Sequence, residues 1–281
     1  MKQNKLSYKI GQFLMFGGPA TILFFAVVIL PFFYGLYLTL TSWDGVSTTK
    51  PFVGLENYKA ALADTAYWQS LGRTFIYSVI AVILTNIVAF LLAYLVTSGI
   101  KGQNFFRAGF FIPNLIVFNR AFVAIAEVAT QTDHASLLST PNGAMFCLIL
   151  VSVWQYAGYM MLIYVAGFMS VDQSLKEAAM IDGCNKGKAM WHVVIPLMRS
   201  SFVQCIFLST TRCFMVYDLN LSLTKGEPFN QSVLAAMHVY NQAFVYKNYG
   251  TGQAEALVLF IVCAVIGMLQ VYFGKKGEVA A

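Results

Sequence analysis

The chain has 281 residues, of which 58% are hydrophobic and 11% charged, and its formal net charge is +6. An ordinary globular protein has about 25% charged residues, and the mean hydropathy of this chain is +0.67. The composition excludes a disordered chain, a disulfide scaffold, a nucleic-acid-binding tail and an ordinary soluble enzyme. It predicts an all-α integral membrane protein that crosses the bilayer several times and has no nucleic-acid partner.

The five cysteines are odd in number, and their spacing fits no metal site. Four of them lie in apolar runs, which favours core packing over metal binding or a disulfide framework. They are Cys147, Cys184, Cys205, Cys213 and Cys263.

The first apolar run, residues 13–40, contains no charged residue and predicts the first membrane helix. As a helix it would extend roughly 42 Å, which exceeds the thickness of the hydrocarbon core, so we expect tilt or a kink. Pro31 is the expected kink position. The run is too long for a signal-peptide core, and no small-residue cleavage site follows promptly, so we expect a retained helix.

Five further apolar runs predict five more helices, which makes six in one membrane domain over residues 13–273. Residues 1–12 and 274–281 are the expected flanking segments. The third run carries Arg120 and Glu127, and the fifth is short and rich in polar residues. The five runs cover residues 74–98, 108–129, 144–169, 201–217 and 256–273.

The distribution of Lys and Arg predicts the orientation of the helices. With the N-terminus in the cytoplasm, 11 of the 18 Lys and Arg residues fall in inner segments and 5 in outer segments. The other two, Arg120 and Arg212, lie within predicted helices. Because inner loops are enriched in Lys and Arg, both termini are expected in the cytoplasm.

The loop between the fourth and fifth predicted helices, residues 171–198, is cytoplasmic in this orientation. Ser170 or Asp172 can cap a first short helix, and Gly183 suits a left-handed helix end. A second short helix is predicted over residues 185–194, with Pro196 following it. Taken alone, the pattern fits an ordinary amphipathic connector as well as a surface for a partner protein.

The residues of this loop resemble the EAA loop of bacterial ABC-importer permeases, whose usual pattern is E-A-A-x-x-D-G-A followed by I-x-L-P. Cys184 stands where alanine is usual, and Val193 and Ile195 stand where isoleucine and leucine are usual. The matching residues are Glu177-Ala178-Ala179, Asp182-Gly183 and Val193-Val194-Ile195-Pro196.

The resemblance extends along most of the chain to the maltose-type sugar permeases. The resembling segments lie after the first predicted helix, at the entry to the third, within the fourth and before the last. The segments are Ser42-Trp43, Phe52 to Tyr58, Phe105 to Arg107 with Phe110 to Asn114, Trp154 with Gly158-Tyr159, and Tyr240 to Phe244 with Tyr249 to Gly252. The chain is therefore similar to one permease subunit of a carbohydrate-uptake ABC transporter.

The resemblance implies the fold of a type I importer permease, a six-helix bundle in the bacterial cytoplasmic membrane with a cytoplasmic EAA coupling loop. It implies a cytoplasmic ABC ATPase dimer that binds this loop, a second homologous permease subunit, and an extracellular or periplasmic solute-binding protein. Membrane lipid surrounds such a bundle. The implied function is ATP-driven import of a sugar or oligosaccharide through a pathway of which this chain forms half.

The resemblance also assigns the coupling role to particular residues. They are Glu177, Ala178, Ala179, Asp182, Gly183 and Pro196. No G-x-x-x-x-G-K-[ST] motif occurs in the sequence, so nucleotide is not expected to bind here in the P-loop manner. We therefore expect a non-catalytic subunit with no metal or cofactor of its own, ATP and Mg being bound by the partner ATPase.

Polar residues within predicted helices are candidates for the substrate path. A charge such as Arg120, with Asn119 beside it, is costly in a membrane helix and suggests a function. Arg120 could meet an anionic sugar, such as a uronate or a sugar phosphate, or could form an internal ion pair. Thr211 and Arg212 could line the path or bond to a neighbouring helix.

Aromatic residues are a further group of candidates, because an aromatic face suits the C–H face of a pyranose. With 24 Phe and 15 Tyr in the chain, helix packing or interface anchoring is the default interpretation for any one of them. The candidates are Trp154, Tyr156, Tyr159, Tyr164 and Tyr217.

Two other functions stay open at this point. The EAA pattern is shared by importers of other solutes, such as polyols, glycerol phosphate or amino-acid derivatives. An ion-coupled secondary transporter would need internal repeats, broken helices and ion-binding carboxylates. Glu127 is the one carboxylate that the pattern places within a membrane helix, near its end. An integral membrane enzyme has no residue cluster to support it.

Overall fold

The computed structural model describes residues 15–98, 109–110 and 137–276. Within these ranges the chain is mainly helical, and four helices are long and apolar enough to cross a membrane. The prediction of an all-α integral membrane protein is confirmed. In chain order the helices are α1 (Gly18–Leu38), α2 (Glu56–Ala63), α3 (Thr65–Thr97), α4 (Pro141–Ser170), α5 (Gln173–Ile181), α6 (Lys186–Leu197), α7 (Arg199–Phe214), α8 (Asp218–Leu223), α9 (Ala235–Tyr240) and α10 (Tyr249–Lys275).

Several predicted features fall outside the described residues. They include residues 1–12, most of the predicted third helix and most of the segment 274–281. Asn119, Arg120 and Glu127 belong to this group. Their predicted roles therefore stay predictions.

Helices α3, α4 and α10 begin before the apolar runs that predict them, whereas α1 lies within the run 13–40 and α7 ends at Phe214 rather than at residue 217. Helix α3 begins at Thr65, whereas the apolar run begins at residue 74. The run misses the first turns of the helix because they contain polar residues such as Gln69 and Arg73. Helix α4 begins at Pro141, where the hydroxyl of Thr140 accepts the amide N–H of Gly143 at 3.2 Å. A hydroxyl cap followed by proline in the first turn is a strong start for a helix.

Helix α1 contains a π-helical turn over Phe25–Ile29, immediately before the predicted kink position at Pro31. The amide of Leu30 donates to the carbonyl of Phe25, five residues back. A widened turn is one of the ways in which a helix accommodates a residue that lacks an N–H.

Of the described residues, 15–65 and 239–258 form one compact unit. Its polar centre is the buried Asn57 of α2, whose amide nitrogen donates to the carbonyls of Thr39 and Thr41, each at 2.8 Å. The Asn57 carboxamide oxygen accepts from the hydroxyl of Thr251 at 3.3 Å. A Cβ at Gly250 would overlap the carbonyl of Thr41, so only glycine allows this close approach. One asparagine therefore joins the loop after α1, helix α2 and the start of α10.

The other described residues, within 66–238 and 259–276, form the second unit. Helix α3 contributes a seam of small residues at spacings of three or four, which lets neighbouring helices approach closely. The seam consists of Ser70, Thr74, Ser78, Ala81, Thr85, Ala89 and Ala93, all of them buried. Two apolar clusters lie along it, one around Tyr77 and Leu148 and the other around Met160 and Met198.

Three of the five cysteines contribute to these clusters, Cys205 to the one around Met160 and Cys213 and Cys147 to the one around Tyr77. Cys205 and Cys213 are buried, and the other three are half-buried. None of the five forms a disulfide.

Candidate functional site

Helix α5, which carries the Glu-Ala-Ala triplet, is capped at its start by Asp172. The Asp172 carboxylate accepts the amide N–H of Ser174 at 3.0 Å. This hydrogen bond stabilises the charged form and holds the pKa of Asp172 below its ordinary value. Of the two capping residues that the sequence offers, Asp172 takes the position, whereas Ser170 is the last residue of α4.

Helix α5 ends in a left-handed turn at Gly183, whose φ is +87°. The amide of Cys184 donates to the carbonyl of Ala179 at 2.9 Å, and the amide of Gly183 donates to that of Met180 at 3.1 Å. These two bonds form a Schellman motif, which satisfies carbonyls at the end of the helix. The sequence-based interpretation of Gly183 matches this geometry.

The triplet residues differ in exposure. Ala179 is buried, whereas Glu177 and Ala178 are exposed. The Glu177 carboxylate accepts a hydrogen bond from the side-chain amide of Gln173 at 3.3 Å. One small residue therefore faces the protein, while a charge and a methyl group are left open to a partner.

The coupling segment, which we define as residues 172–197, exposes several large apolar side chains. Ile181 is 85% exposed and Trp191 is 70% exposed, and Leu175 and Met180 are exposed as well. Exposed apolar side chains grouped on a polar segment are typical of a protein-binding surface. Together with Glu177 they form the exposed face of the segment.

Helix α6 anchors this segment to the membrane helices. Asn185 caps α6 by accepting the amide N–H of Lys188 at 2.8 Å. Val194 and Met198 are buried in the same apolar cluster as Ala93 of α3 and Phe168 of α4. This end of the coupling segment is therefore packed directly on α3 and α4.

Pro196 does not follow the second short helix, as its position suggested, but lies inside it. A π-helical turn over Met190–Val194 precedes it, and the amide of Ile195 donates to the carbonyl of Met190. Because that turn already shifts the hydrogen-bond register, the helix continues through the proline to Leu197. Helix α7 then leaves at an angle of 68° to α6.

A cleft of about 890 Å³ lies between the coupling segment and the ends of the membrane helices. Tyr94 and Phe168 line it from the helix ends, and Lys176 and Lys186 line it from the coupling segment. The cleft leaves space on one side of α5, whereas α6 is packed on the core.

The candidate substrate-path residues on α4 and α7 meet at Arg212. The guanidinium carbon of Arg212 lies 5.5 Å from the ring centre of Tyr156 and 5.1 Å from that of Tyr159. Tyr156 is buried, Tyr159 is half-buried and Arg212 is exposed. Both contacts fall within the range of cation–π interactions.

The hydroxyl groups of α7 are largely satisfied by the helix itself. Thr211 donates to the carbonyl of Phe207 at 2.9 Å, and Ser209 donates to that of Cys205 at 2.7 Å. Thr210 donates in the same way and accepts from the side-chain amide of Gln270 at 2.9 Å. The polar stripe of α7 therefore serves helix packing to a large extent, and Arg212 is its exposed charged member.

Tyr164 is engaged in a buried network that joins three helices. Its hydroxyl donates to the carboxamide oxygen of Asn86 on α3 at 2.8 Å, and the Asn86 amide nitrogen donates to Ser209 on α7 at 3.0 Å. Tyr164 is fully buried, so it is a packing residue rather than an open surface for a sugar ring. Asn86 is not among the predicted residues, although a carboxamide within an apolar run indicates a hydrogen bond to a neighbouring helix.

The remaining path candidates are placed less closely together. Trp154 is 40% exposed on α4, and Tyr217 is half-buried in the short connection between α7 and α8. In the described part of the chain, neither the coupling segment nor the contact between α4 and α7 groups three metal-ligating side chains.

Comparison with known proteins gives concordant matches. Residues 101–277 match the family model described as binding-protein-dependent transport system inner membrane component. The probable starch degradation products transport system permease protein AmyD of Thermoanaerobacterium thermosulfurigenes is 34% identical, over 94% of each chain. The multiple sugar-binding transport system permease protein MsmF of Streptococcus mutans is 30% identical, over 89% of this chain and 90% of that one.

Among solved structures, the fold matches a chain in the crystal structure of a bacterial ABC transporter involved in the import of the acidic polysaccharide alginate. The TM-score is 0.81, with 97% of this chain and 99% of that chain covered. The sequence identity is 14%, so this likeness concerns the fold.

Proposed function

The chain belongs to the family of binding-protein-dependent transport system inner membrane components, and we propose that it forms half of the solute pathway of an ATP-driven importer of a sugar or oligosaccharide. Membership of the family and the apolar helices make it a multi-pass protein of the inner membrane. The relatives AmyD and MsmF, named for starch products and multiple sugars, support the carbohydrate substrate. The coupling segment is the observation that carries the proposal, because it combines the EAA residues with an exposed apolar face.

The coupling segment would bind a groove on a cytoplasmic ATPase dimer, which binds ATP and Mg and supplies the energy. The exposed Glu177 and Ala178 fit this role in different ways. Glu177 offers a charge to the partner, and Ala178 is small enough for the partner surface to approach closely. Asp182 and Gly183 end the helix and fix the direction of the segment. Pro196, inside α6 and next to the bend, holds the connection to α7.

The path from ATPase to solute would run through the anchoring contacts of α6. Because Val194 and Met198 are buried against α3 and α4, a push on the coupling segment moves these helices as packed bodies. Helix α7 follows α6 across the bend and carries Arg212. Closure of the ATPase dimer would in this way change the access of the solute pathway from one side of the membrane to the other.

The substrate path is proposed along the exposed part of the contact between α4 and α7. Trp154 and Tyr159 supply aromatic surface, and Thr211, Arg212 and Tyr217 supply polar groups. Asn119 and Arg120 are proposed members of the same path from the sequence alone. A second permease subunit would supply the other half, and an extracellular or periplasmic binding protein would deliver the solute. Both termini are proposed to be cytoplasmic.

Replacing Glu177 by Lys tests the coupling role. The tagged chain is purified from native membranes, and the co-purifying proteins are identified by mass spectrometry. We expect the wild type to retain an ATPase and a second permease, and Glu177→Lys to lose the ATPase and solute uptake while still inserting into the membrane. Glu56→Lys, a charge reversal at an exposed position on α2, is the matched control and should retain the ATPase. Normal uptake by Glu177→Lys contradicts the coupling role.

A further inference from the structure

The contact of Arg212 with two tyrosines lies in the last turn of α7, at the end of the helix farthest from the coupling segment. Arg212 is 14 residues beyond Met198 in the numbering of the chain, which corresponds to about 21 Å along the axis of α7. In the predicted orientation this places it in the outer half of the bilayer. A solute that arrives from outside would meet this cation before it reaches the coupling end of the helices.

Arg212 forms no ion pair within the described part of the chain, although the charge of the nearby Asp218 also acts on Tyr156. No carboxylate there lies within ion-pair distance of the guanidinium, and no acceptor there forms a hydrogen bond with it. Asp218, at the start of α8, is exposed and is not an ion-pair partner. A guanidinium in a membrane-spanning segment is costly and suggests a function, and the contacts of Arg212 with described residues are with aromatic rings.

The groups around Arg212 are also rich in hydrogen-bond donors. The hydroxyls of Tyr156 and Tyr159 form no hydrogen bond with any described residue, and each can donate one. An arginine that stacks on aromatic faces keeps its in-plane N–H groups available for a planar anion. The cluster therefore offers several donors and a positive charge, and no carboxylate of the described residues forms an ion pair with that charge.

We propose that Arg212, framed by Tyr156 and Tyr159, is an anion-selecting subsite of the substrate path that takes the carboxylate or phosphate of an acidic sugar. This inference rests on the proposed importer function and specifies its substrate class. Charge-assisted, bidentate hydrogen bonds are the interactions that guanidinium groups make best with carboxylates and phosphates. A neutral sugar hydroxyl would satisfy neither the charge nor the excess of donors.

The test uses the complete importer in nanodiscs, without its binding protein, so that the permease alone determines selectivity. Equilibrium binding of three radiolabelled probes is measured, both without nucleotide and with a non-hydrolysable ATP analogue. The probes are maltotriose, trigalacturonic acid and a maltose phosphate, which separate neutral, carboxylate and phosphate chemistry. We expect at least one of the two anionic probes to bind roughly tenfold to 100-fold more tightly than maltotriose.

Variants separate charge recognition from a packing role. Arg212→Gln should abolish the preference for anions, and Arg212→Lys should retain part of it and lose it with added salt. Tyr156→Phe combined with Tyr159→Phe keeps the rings and should weaken anion binding only. Gln204→Ala, at an exposed position two turns earlier on α7, is the matched control and should leave all three affinities unchanged.

The outcomes distinguish this inference from the function on which it rests. Equal affinity of the wild type for all three probes, no binding of any probe in either nucleotide state, or an unchanged preference in Arg212→Gln overturns the anion subsite. In each of those cases the importer function stands if the complex still co-purifies with its ATPase and takes up solute with ATP. Loss of both ATPase and ATP-dependent uptake in the wild type would overturn the function itself.

Discussion

Replacing Gly183 by Ala should loosen the end of helix α5 without any steric clash. The residue has a φ of +87°, and a Cβ built at this position meets no atom within 4 Å. The cost is therefore conformational alone, and for a residue with a Cβ in the left-handed region it is about 1–2 kcal/mol. That energy corresponds to a roughly 5- to 30-fold increase in local opening of the Schellman motif.

Hydrogen exchange of the complete importer in nanodiscs measures this opening directly. The amides to follow are those of Cys184 and Asp182, which donate to the carbonyls of Ala179 and Ala178, each at 2.9 Å. In Gly183→Ala we expect these amides to exchange roughly 5- to 30-fold faster, because the conformational cost of about 1–2 kcal/mol raises the open population by that factor. The rate of solute-stimulated ATP hydrolysis should fall in the same variant, because the end of helix α5 is less often formed.

Gly187→Ala is the matched control, because it adds the same methyl group four residues later. Gly187 lies in α6 without a positive φ, and its Cβ would meet its nearest neighbour at an ordinary 3.6 Å. Alanine stabilises a helix relative to glycine by about 0.5–1 kcal/mol, so exchange should stay equal or slow down. Equal acceleration in both variants, or wild-type exchange in Gly183→Ala, would refute the role of the left-handed turn.

Three further changes test the packing and the cap. Tyr164→Phe removes the buried hydrogen bond to Asn86 and should cost about 0.6–1.7 kcal/mol, seen as a lower thermal unfolding midpoint; an unchanged midpoint would count against the network. Gly252→Ala would place a Cβ 2.8 Å from the backbone nitrogen of Ala243, so we expect about 1–3 kcal/mol of destabilisation in the same assay, and a neutral effect would contradict this close contact. Because the pKa of Asp172 is lowered, its cap should be fully formed above pH 4 or so and be lost as the pH falls through the lowered pKa. A titration of its carboxyl carbon signal in NMR checks this, and a midpoint at or above 3.8 would contradict it.

The sequence predicts the membrane helices well because their signal is long and simple. The runs at 144–169 and 256–273 lie inside α4 and α10, and only the polar turns at the ends of these helices escape hydropathy. Local chemistry likewise predicts the caps and the turn of the coupling segment. Asp172 and Gly183 each act within a few residues of chain, so their roles can be read without tertiary information.

Features that depend on two helices meeting are harder to read from one chain. Arg212 and Tyr159 are both visible as candidates, but their contact depends on the packing of α7 against α4. The partnership of Asn86 with Tyr164 spans 78 residues of sequence and leaves no local pattern. The sequence predicts that Pro196 lies beyond the second short helix, because a proline usually ends a helix. The π-helical turn that accommodates Pro196 inside the helix is not predicted by the local pattern of residues.

Uptake into proteoliposomes tests the central claim most directly, since it asks what drives the solute. The co-purified complex is reconstituted with its binding protein outside, and uptake of the solute that this binding protein carries is followed with ATP inside, with ADP inside, or with an ion gradient alone. The account predicts uptake with internal ATP only, and its loss in Glu177→Lys. Accumulation driven by an ion gradient without ATP would contradict it and would identify a secondary transporter instead.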